Sequence, residues 1–167
     1  MEKRMEKRNI AIALPSTGED EWQAVREPLM SGWLTQGPKV AQFEKTFAAR
    51  HKVSHALAVT SCTTGLHLML AAAGIGPGDE VIVPAFTWVA TANVVLYCGA
   101  KPVFVDVSTT TNNICLEDLK RRVTPRTKAV IAVHLFGLVA DIPAMRKVLP
   151  GHVRIFEDCA CAAGADL

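Results

Sequence analysis

Charge of one sign is scarce in this sequence: 18 Lys+Arg stand against 16 Asp+Glu, a formal net charge of +2, and charged residues make up only 20%. That balance excludes a disordered polyelectrolyte and supplies no basic stripe of the kind that nucleic-acid binding needs. Cysteines are also few. Five in 167 residues, irregularly spaced and odd in number, do not make a secreted disulfide scaffold, so a reducing compartment, the cytoplasm, is expected. Near the start, residues 1–9 read M-E-K-R twice and turn apolar only briefly. This lacks the long apolar segment of a signal peptide and reads as a frayed leader. The longest apolar stretch, residues 81–100, reaches the length of a membrane span, but Pro84 and Gly99, with Thr87, Thr91 and Asn93 between them, split it into a strand and a helix. Neither a nucleic-acid nor a membrane partner is expected.

What is present is core material. Half of the residues are hydrophobic, and the length suits about one domain. Residues 10–54 read as a helical segment, with amphipathic helices over 19–31 and 40–51 joined by the hinge G-W-L-T-Q-G-P at 32–38. From residue 55 onward, short β-rich runs alternate with helical runs, as in parallel strands joined by crossover helices. Five strands are expected, at 56–60, 80–84, 102–106, 129–134 and 154–157. Each is read as a short apolar run of the kind found in sheets covered on both faces. Helices are expected at 64–73, 88–97, 116–123 and 142–149, three of them stopped by Gly74, Gly99 and Pro150. The fold class is α/β with a mostly parallel central sheet. After the last strand no further crossover helix follows, so 55–167 is expected to be an incomplete large domain, or one that relies on a partner.

Open parallel sheets bind ligands outside the carboxyl ends of their strands, and three groups fall there. After the first expected strand comes S-C-T-T-G, small and hydroxyl-bearing residues that open a helix and leave backbone N–H groups free for an anion, with Thr63 and Thr64 best placed for a phosphate. Taken alone, a plain N-cap accounts for them equally well. After the second strand stands Trp88, which suits either a planar ligand or the core. At the end of the last strand stands Asp158, beside apolar Cys and Ala, where a carboxylate is costly to bury without a partner. A protonated pyridine nitrogen would be such a partner; a helix cap or surface turn is the other reading.

The ordered motifs G-W-L-T-Q-G-P, S-C-T-T-G-L-H-L, G-D-E-V-I-V-P-A-F-T-W-V-A-T, G-A-K-P-V-F-V-D-V, T-K-A-V-I-A-V-H-L-F-G and I-F-E-D-C-A-C-A-A-G-A resemble the pyridoxal phosphate (PLP)-dependent nucleotide-sugar aminotransferases of the DegT/StrS type, over nearly all of residues 10–165. The resemblance implies part of the large domain of an aspartate aminotransferase-like PLP transferase, with PLP as cofactor. It further implies a nucleotide-linked keto-sugar and an amino acid such as glutamate as substrates, and a homodimer. On the same ground Thr63 and Thr64 would hold the cofactor phosphate, Trp88 would stack on the pyridine ring and Asp158 would pair with the ring nitrogen. Trp33, Leu34 and Thr35 would border the substrate, and His134 would face the pocket or be satisfied behind it.

Three departures from that pattern matter. Cys62 stands where a small Gly or Ala is usual, and Cys161 where a His or Gln would reach the ring oxygen, a thiol being the weaker donor. The Schiff-base lysine of the family falls in a segment beyond the Asp motif, and no lysine present is placed at the pocket by pattern. The chain alone is therefore expected to be inactive, as a fragment or as a non-catalytic remnant or partner that keeps the fold. Two further readings are weaker. The glycines of G-I-G-P-G-D follow a helix and precede a strand, the reverse of a dinucleotide fingerprint. Cys159 and Cys161 with a histidine lack a second ligand pair for zinc, so no metal is expected. His67, within L-H-L-M-L, reads as core.

Overall fold

The computed structural model describes residues 14–166, which divide after Ala58 into two compact units. Among the described residues the first unit holds two helices. Helix α1, Glu19–Ser31, has three acidic residues in its first turn, and Glu21 accepts the Gly18 N–H at 2.7 Å, satisfying a donor that the helix itself cannot. Gly32 ends it at φ 73, the left-handed conformation that glycine adopts without penalty. Helix α2, Pro38–Arg50, begins on a proline, whose missing N–H costs nothing in the first turn.

The second unit is a four-stranded sheet in the order β2-β1-β3-β4, every neighbouring pair parallel. In chain order its elements are α3 (Cys62–Ala72), β1 (Glu80–Pro84), α4 (Ala90–Tyr97), β2 (Lys101–Val105), α5 (Leu116–Arg122), β3 (Thr127–Val133), α6 (Ile142–Val148) and β4 (Arg154–Asp158). Alternate strand residues feed two cores. Val81, Val83, Ile131 and Val133 pack with Leu66 and Leu70 of α3 and with Val94 and Val95 of α4. On the opposite face Ile82, Val130 and Ala132 pack with Leu119 of α5 and Met145 of α6. The central strands β1 and β3 are thus covered on both faces, which is why they read as near-continuous apolar runs, whereas the outer β2 and β4 keep exposed positions. The chain moves one way from β1 to β2 and the other way from β3 to β4, and the crossover helices α4 and α6 lie on opposite faces, as a fixed crossover handedness requires.

Two sequence expectations are corrected. Residues 56–60 form no strand, so the sheet has four strands rather than five among the described residues. A strand exists only through a hydrogen-bonded neighbour, and no described segment pairs with this run, whose Leu57 and Val59 side chains are exposed. Helix α4 starts at Ala90, not Trp88, which leaves the indole on the loop. The apolar stretch at 81–100 does divide into β1 and α4, and among the described residues no helix is long and apolar enough to cross a membrane. The glycine-rich run closes α3 and enters β1, with Gly74 and Gly78 at positive φ, so it cradles nothing at a helix start.

At the amino-terminal edge of the sheet, Glu80 is buried at 2% exposure and its charge is compensated by two cations. Thr124 Oγ1 donates to Oε2 at 2.6 Å, Arg126 donates to Oε1 from Nη2 and Nε at 2.8 and 3.2 Å, and Lys101 Nζ lies 3.6 Å from Oε1. The Thr124 bond first, and Arg126 next, hold the Glu80 carboxyl below its ordinary 4.5. A depressed carboxyl contributes stability above its unfolded value and loses it as pH falls through the folded one. The urea midpoint of the wild-type chain is therefore expected to drop below about pH 4.5 more steeply than that of Glu80→Gln. Arg126→Ala is expected to cost on the order of 1–2 kcal/mol at neutral pH.

Candidate functional site

Three loop tips meet at the carboxyl edge of the sheet, and Asp158 is the meeting point. It ends β4 and is 7% exposed. Oδ1 accepts the Ala160 N–H at 3.1 Å and the Cys62 thiol at 3.4 Å, and Oδ2 accepts the Thr91 hydroxyl at 3.2 Å. Because Thr91 gives its only proton to Asp158, the Thr87 hydroxyl 3.0 Å away must donate to Thr91. Thr91 is wholly buried as the second residue of α4, and its N–H donates to the Trp88 carbonyl at 3.1 Å. Cys62 is the first residue of α3. These bonds tie the end of β4 to the starts of α3 and α4.

The charge on Asp158 is met by neutral donors only: among the described residues no Lys, Arg or His pairs with it. Glu80, equally buried, has two cations. Asp158 therefore retains both an uncompensated charge and an open acceptor position, the features a cationic ring N–H would satisfy. Its field reaches the neighbouring thiol. Cys62 is pushed up to about 11, by desolvation of its sulfur first and by the Asp158 charge next, with Cys159 and Cys161 adding smaller effects. Cys159 is likewise raised, by desolvation and then by Glu157 and Asp158. The three thiols thus lie around one carboxylate, all reduced.

The start of α3 divides the roles of its hydroxyls. Ser61 is the N-cap, and its Oγ accepts the Thr64 N–H at 3.1 Å. The Thr64 hydroxyl is engaged with Ser61 and Thr60 at 3.0 and 3.1 Å. Thr64 therefore belongs to the cap. Thr63, half-buried, keeps its hydroxyl free, and the N–H groups of Cys62 and Thr63 find no acceptor among the described residues. An anion would meet these three donors at the positive end of the helix.

Trp88 is 78% exposed, so it is not a core tryptophan. Beyond it, Phe86 and Phe136 stand edge to face with centroids 6.5 Å apart, and Phe136 holds φ 55 on the loop after β3. Cys161 lies on the turn after β4 with its side chain exposed. His134 does not face the pocket. It is buried, Nδ1 accepts the Ala140 N–H at 2.9 Å, and the ring proton on Nε2 is directed to Glu157 Oε2 at 3.0 Å. Both nitrogens are spent on the framework, Nε2 tying the end of β3 to β4 and Nδ1 tying it to the segment that leads into α6. His67 is half-buried against Tyr97, 5.7 Å between ring centroids. Sequence reasoning missed Thr91: a threonine in the first turn of a helix reads as an ordinary helix-start residue, and nothing local says that its hydroxyl reaches the end of β4.

In the first unit, Trp33 lies on the α1 to α2 connection, where its indole N–H donates to the Gln36 carbonyl at 2.8 Å. Trp33 and Thr35 line a small cleft with Pro38 and Lys39, and Leu34 is exposed beside them.

The chain belongs to the DegT/DnrJ/EryC1/StrS aminotransferase family, which it matches over residues 15–167. Among its relatives, it is 49% identical over 161 residues to the spore coat polysaccharide biosynthesis protein SpsC of Bacillus subtilis (strain 168), covering 95% of this chain and 41% of SpsC. Among solved structures, the aminotransferase from Psychrobacter cryohalolentis superposes with a TM-score of 0.84 at 37% identity over 90% of this chain and 39% of that one. Spr1654 of Streptococcus pneumoniae, in its PLP form, gives 0.81 at 36% identity over 85% of this chain and 36% of that one. The chain thus spans about two fifths of the length of the relatives it matches.

A Cβ on Gly37 would lie 2.3 Å from the Trp33 indole nitrogen. Gly37→Ala is therefore expected to displace the ring from Gln36. In a Trp22→Phe, Trp88→Phe background this reads as a red-shifted Trp33 emission, with the far-UV spectrum unchanged.

Proposed function

We propose that this chain is the PLP-binding portion of an aminotransferase that passes an amino group from an amino acid such as glutamate to a nucleotide-linked keto-sugar. The observation that carries the reading is Asp158: a buried carboxylate at the sheet's carboxyl edge, held by three neutral donors and, among the described residues, compensated by no cation. Family membership and the PLP form of Spr1654 support the cofactor, and the name of SpsC supports a carbohydrate product.

The residues fit the group. Thr63 Oγ1 and the Cys62 and Thr63 amides would take the phosphate, the exposed face of Trp88 would cover the ring, and Asp158 would accept a hydrogen bond from the protonated ring nitrogen. Cys161 would border the ring oxygen, with Thr64 fixing the cap behind the phosphate. Bound PLP supplies a ring that accepts the electron pair released when the donor's Cα proton is removed. Within this chain, the part of Asp158 is to keep the nitrogen protonated, so that the ring holds its charge throughout. The helix start anchors the phosphate without a change of protonation, and Trp88 excludes water from one ring face. Trp33, Leu34 and Thr35 would border the substrate.

A homodimer accords with the apolar side chains Leu68, Met69, Leu96 and Tyr97 exposed on α3 and α4, and a reducing compartment with the five free cysteines. A non-catalytic role for the isolated chain is favoured by the lysines. Lys101 pairs with Glu80 at the opposite edge of the sheet, Lys120 and Lys147 lie on α5 and α6, and Lys128 opens β3. None of these is at the carboxyl edge, where a Schiff-base lysine would be needed.

Titration of the purified chain with PLP, followed by quenching of Trp88, is expected to show saturable binding. Asp158→Asn should weaken it about tenfold or more, the scale of a charged hydrogen bond. Failure of the wild-type chain to retain PLP at millimolar concentration in equilibrium dialysis would sink the reading. The chain alone is expected to give no steady-state transamination.

A further inference from the structure

Asp158 carries about four lone-pair positions on its two carboxylate oxygens, and the protein fills three of them. Ala160 N–H and Cys62 Sγ–H occupy Oδ1, and Thr91 Oγ1–H occupies one position on Oδ2. The remaining position is on Oδ2. Two of the donors come from elements whose place is fixed by other duties: Ala160 is on the same turn, and Thr91 is buried and oriented by Thr87. The third, Cys62, sits at a position where no side chain is needed to form the helix start, since Ser61 is the cap and the cap's acceptor bond goes to Thr64. Its thiol spans 96 residues of sequence to reach Asp158.

We propose that Cys62 is a positioning residue: by holding the second lone pair of Asp158 Oδ1, its thiol fixes the carboxylate so that Oδ2 alone is presented to a protonated pyridine nitrogen. The inference rests on the function proposed above and extends it to a residue that bears no chemistry of its own. The thiol suits the task because it is a donor that keeps its proton. Desolvation of the sulfur first, and the adjacent carboxylate next, push it up to about 11, so the bond persists through the working pH range, and a protonated thiol beside an aldehyde-bearing cofactor is a poor nucleophile. A hydroxyl could serve the same way, whereas a methyl group would leave Oδ1 with a vacant acceptor and the carboxylate free to rotate toward Ala160.

The test uses the 167-residue chain, PLP, and 1-deaza-PLP, in which a C–H replaces the ring nitrogen. The wild-type chain is expected to prefer PLP, and Cys62→Ala to lose about three- to tenfold of that preference while Cys62→Ser retains most of it. Equal weakening toward both compounds would mean that Cys62 serves only the phosphate loop, and an unchanged preference would mean that it serves nothing at the ring. Either result overturns the inference and leaves the PLP reading standing. If the wild-type chain binds neither compound, the inference falls together with that reading. A second arm needs no cofactor: iodoacetamide labelling of Cys62 against pH, resolved by peptide mass spectrometry. Its midpoint is expected near 11 in the wild-type chain and to move down in Asp158→Asn. A profile that Asp158→Asn leaves unmoved would show that the thiol and carboxylate are not bonded, and would overturn the inference whatever the binding results.

Discussion

Parallel pairing of β1 with both β2 and β3 governs the arrangement of the whole second unit. Parallel neighbours cannot be joined by a tight turn, so each strand must be followed by a crossover that climbs back over a face of the sheet. Every carboxyl end then leaves on the same edge, and the reversal of direction between β1 and β3 opens a crevice there that no crossover fills. The loop carrying Trp88 and the ends of β3 and β4 come out around it. The start of α3 arrives at the same edge because its Leu66 and Leu70 are buried in the core shared with β1 and β3.

Two buried carboxylates mark the two edges of that sheet, and their surroundings differ in a way that separates structure from function. Glu80 is closed: hydroxyl and guanidinium donors surround it and a lysine stands nearby, so its burial is compensated within the protein. Asp158 is open. Hydroxyl, amide and thiol hold it in place, but none of them carries a positive charge, and a buried anion without a cation is costly to keep. A site that tolerates this cost is prepared for a positively charged ligand atom, and the family to which the chain belongs uses a cofactor that has one.

Much of the fold was legible because burial on both sheet faces leaves a plain mark. The runs that became β1 and β3 are apolar at successive positions, and the helices that follow them are stopped by Gly99 and Pro150. The run at 56–60 carries the same mark and is no strand, since an apolar run states only that a segment could pair and not that a neighbour is there. At the site, Asp158 stood out from its apolar company, and Trp88 from its place after a strand. The division of labour between Thr63 and Thr64 was not legible. Both are threonines at the same helix start, and only the direction of the Ser61 side chain makes one a cap and leaves the other free.

The sequence by itself determined which segments could be strands and helices, that an acid and an aromatic ring would follow strands and that a hydroxyl-rich run would open a helix, because period, capping and turn chemistry act over a few neighbouring residues. Only the tertiary structure decided that Cys62 and Thr91 share Asp158, that His134 spends both nitrogens on the framework, and that Trp88 is bare. Those outcomes depend on which donor lies within about 3 Å of which acceptor across 67 or 96 intervening residues, and no local rule carries a distance of that kind.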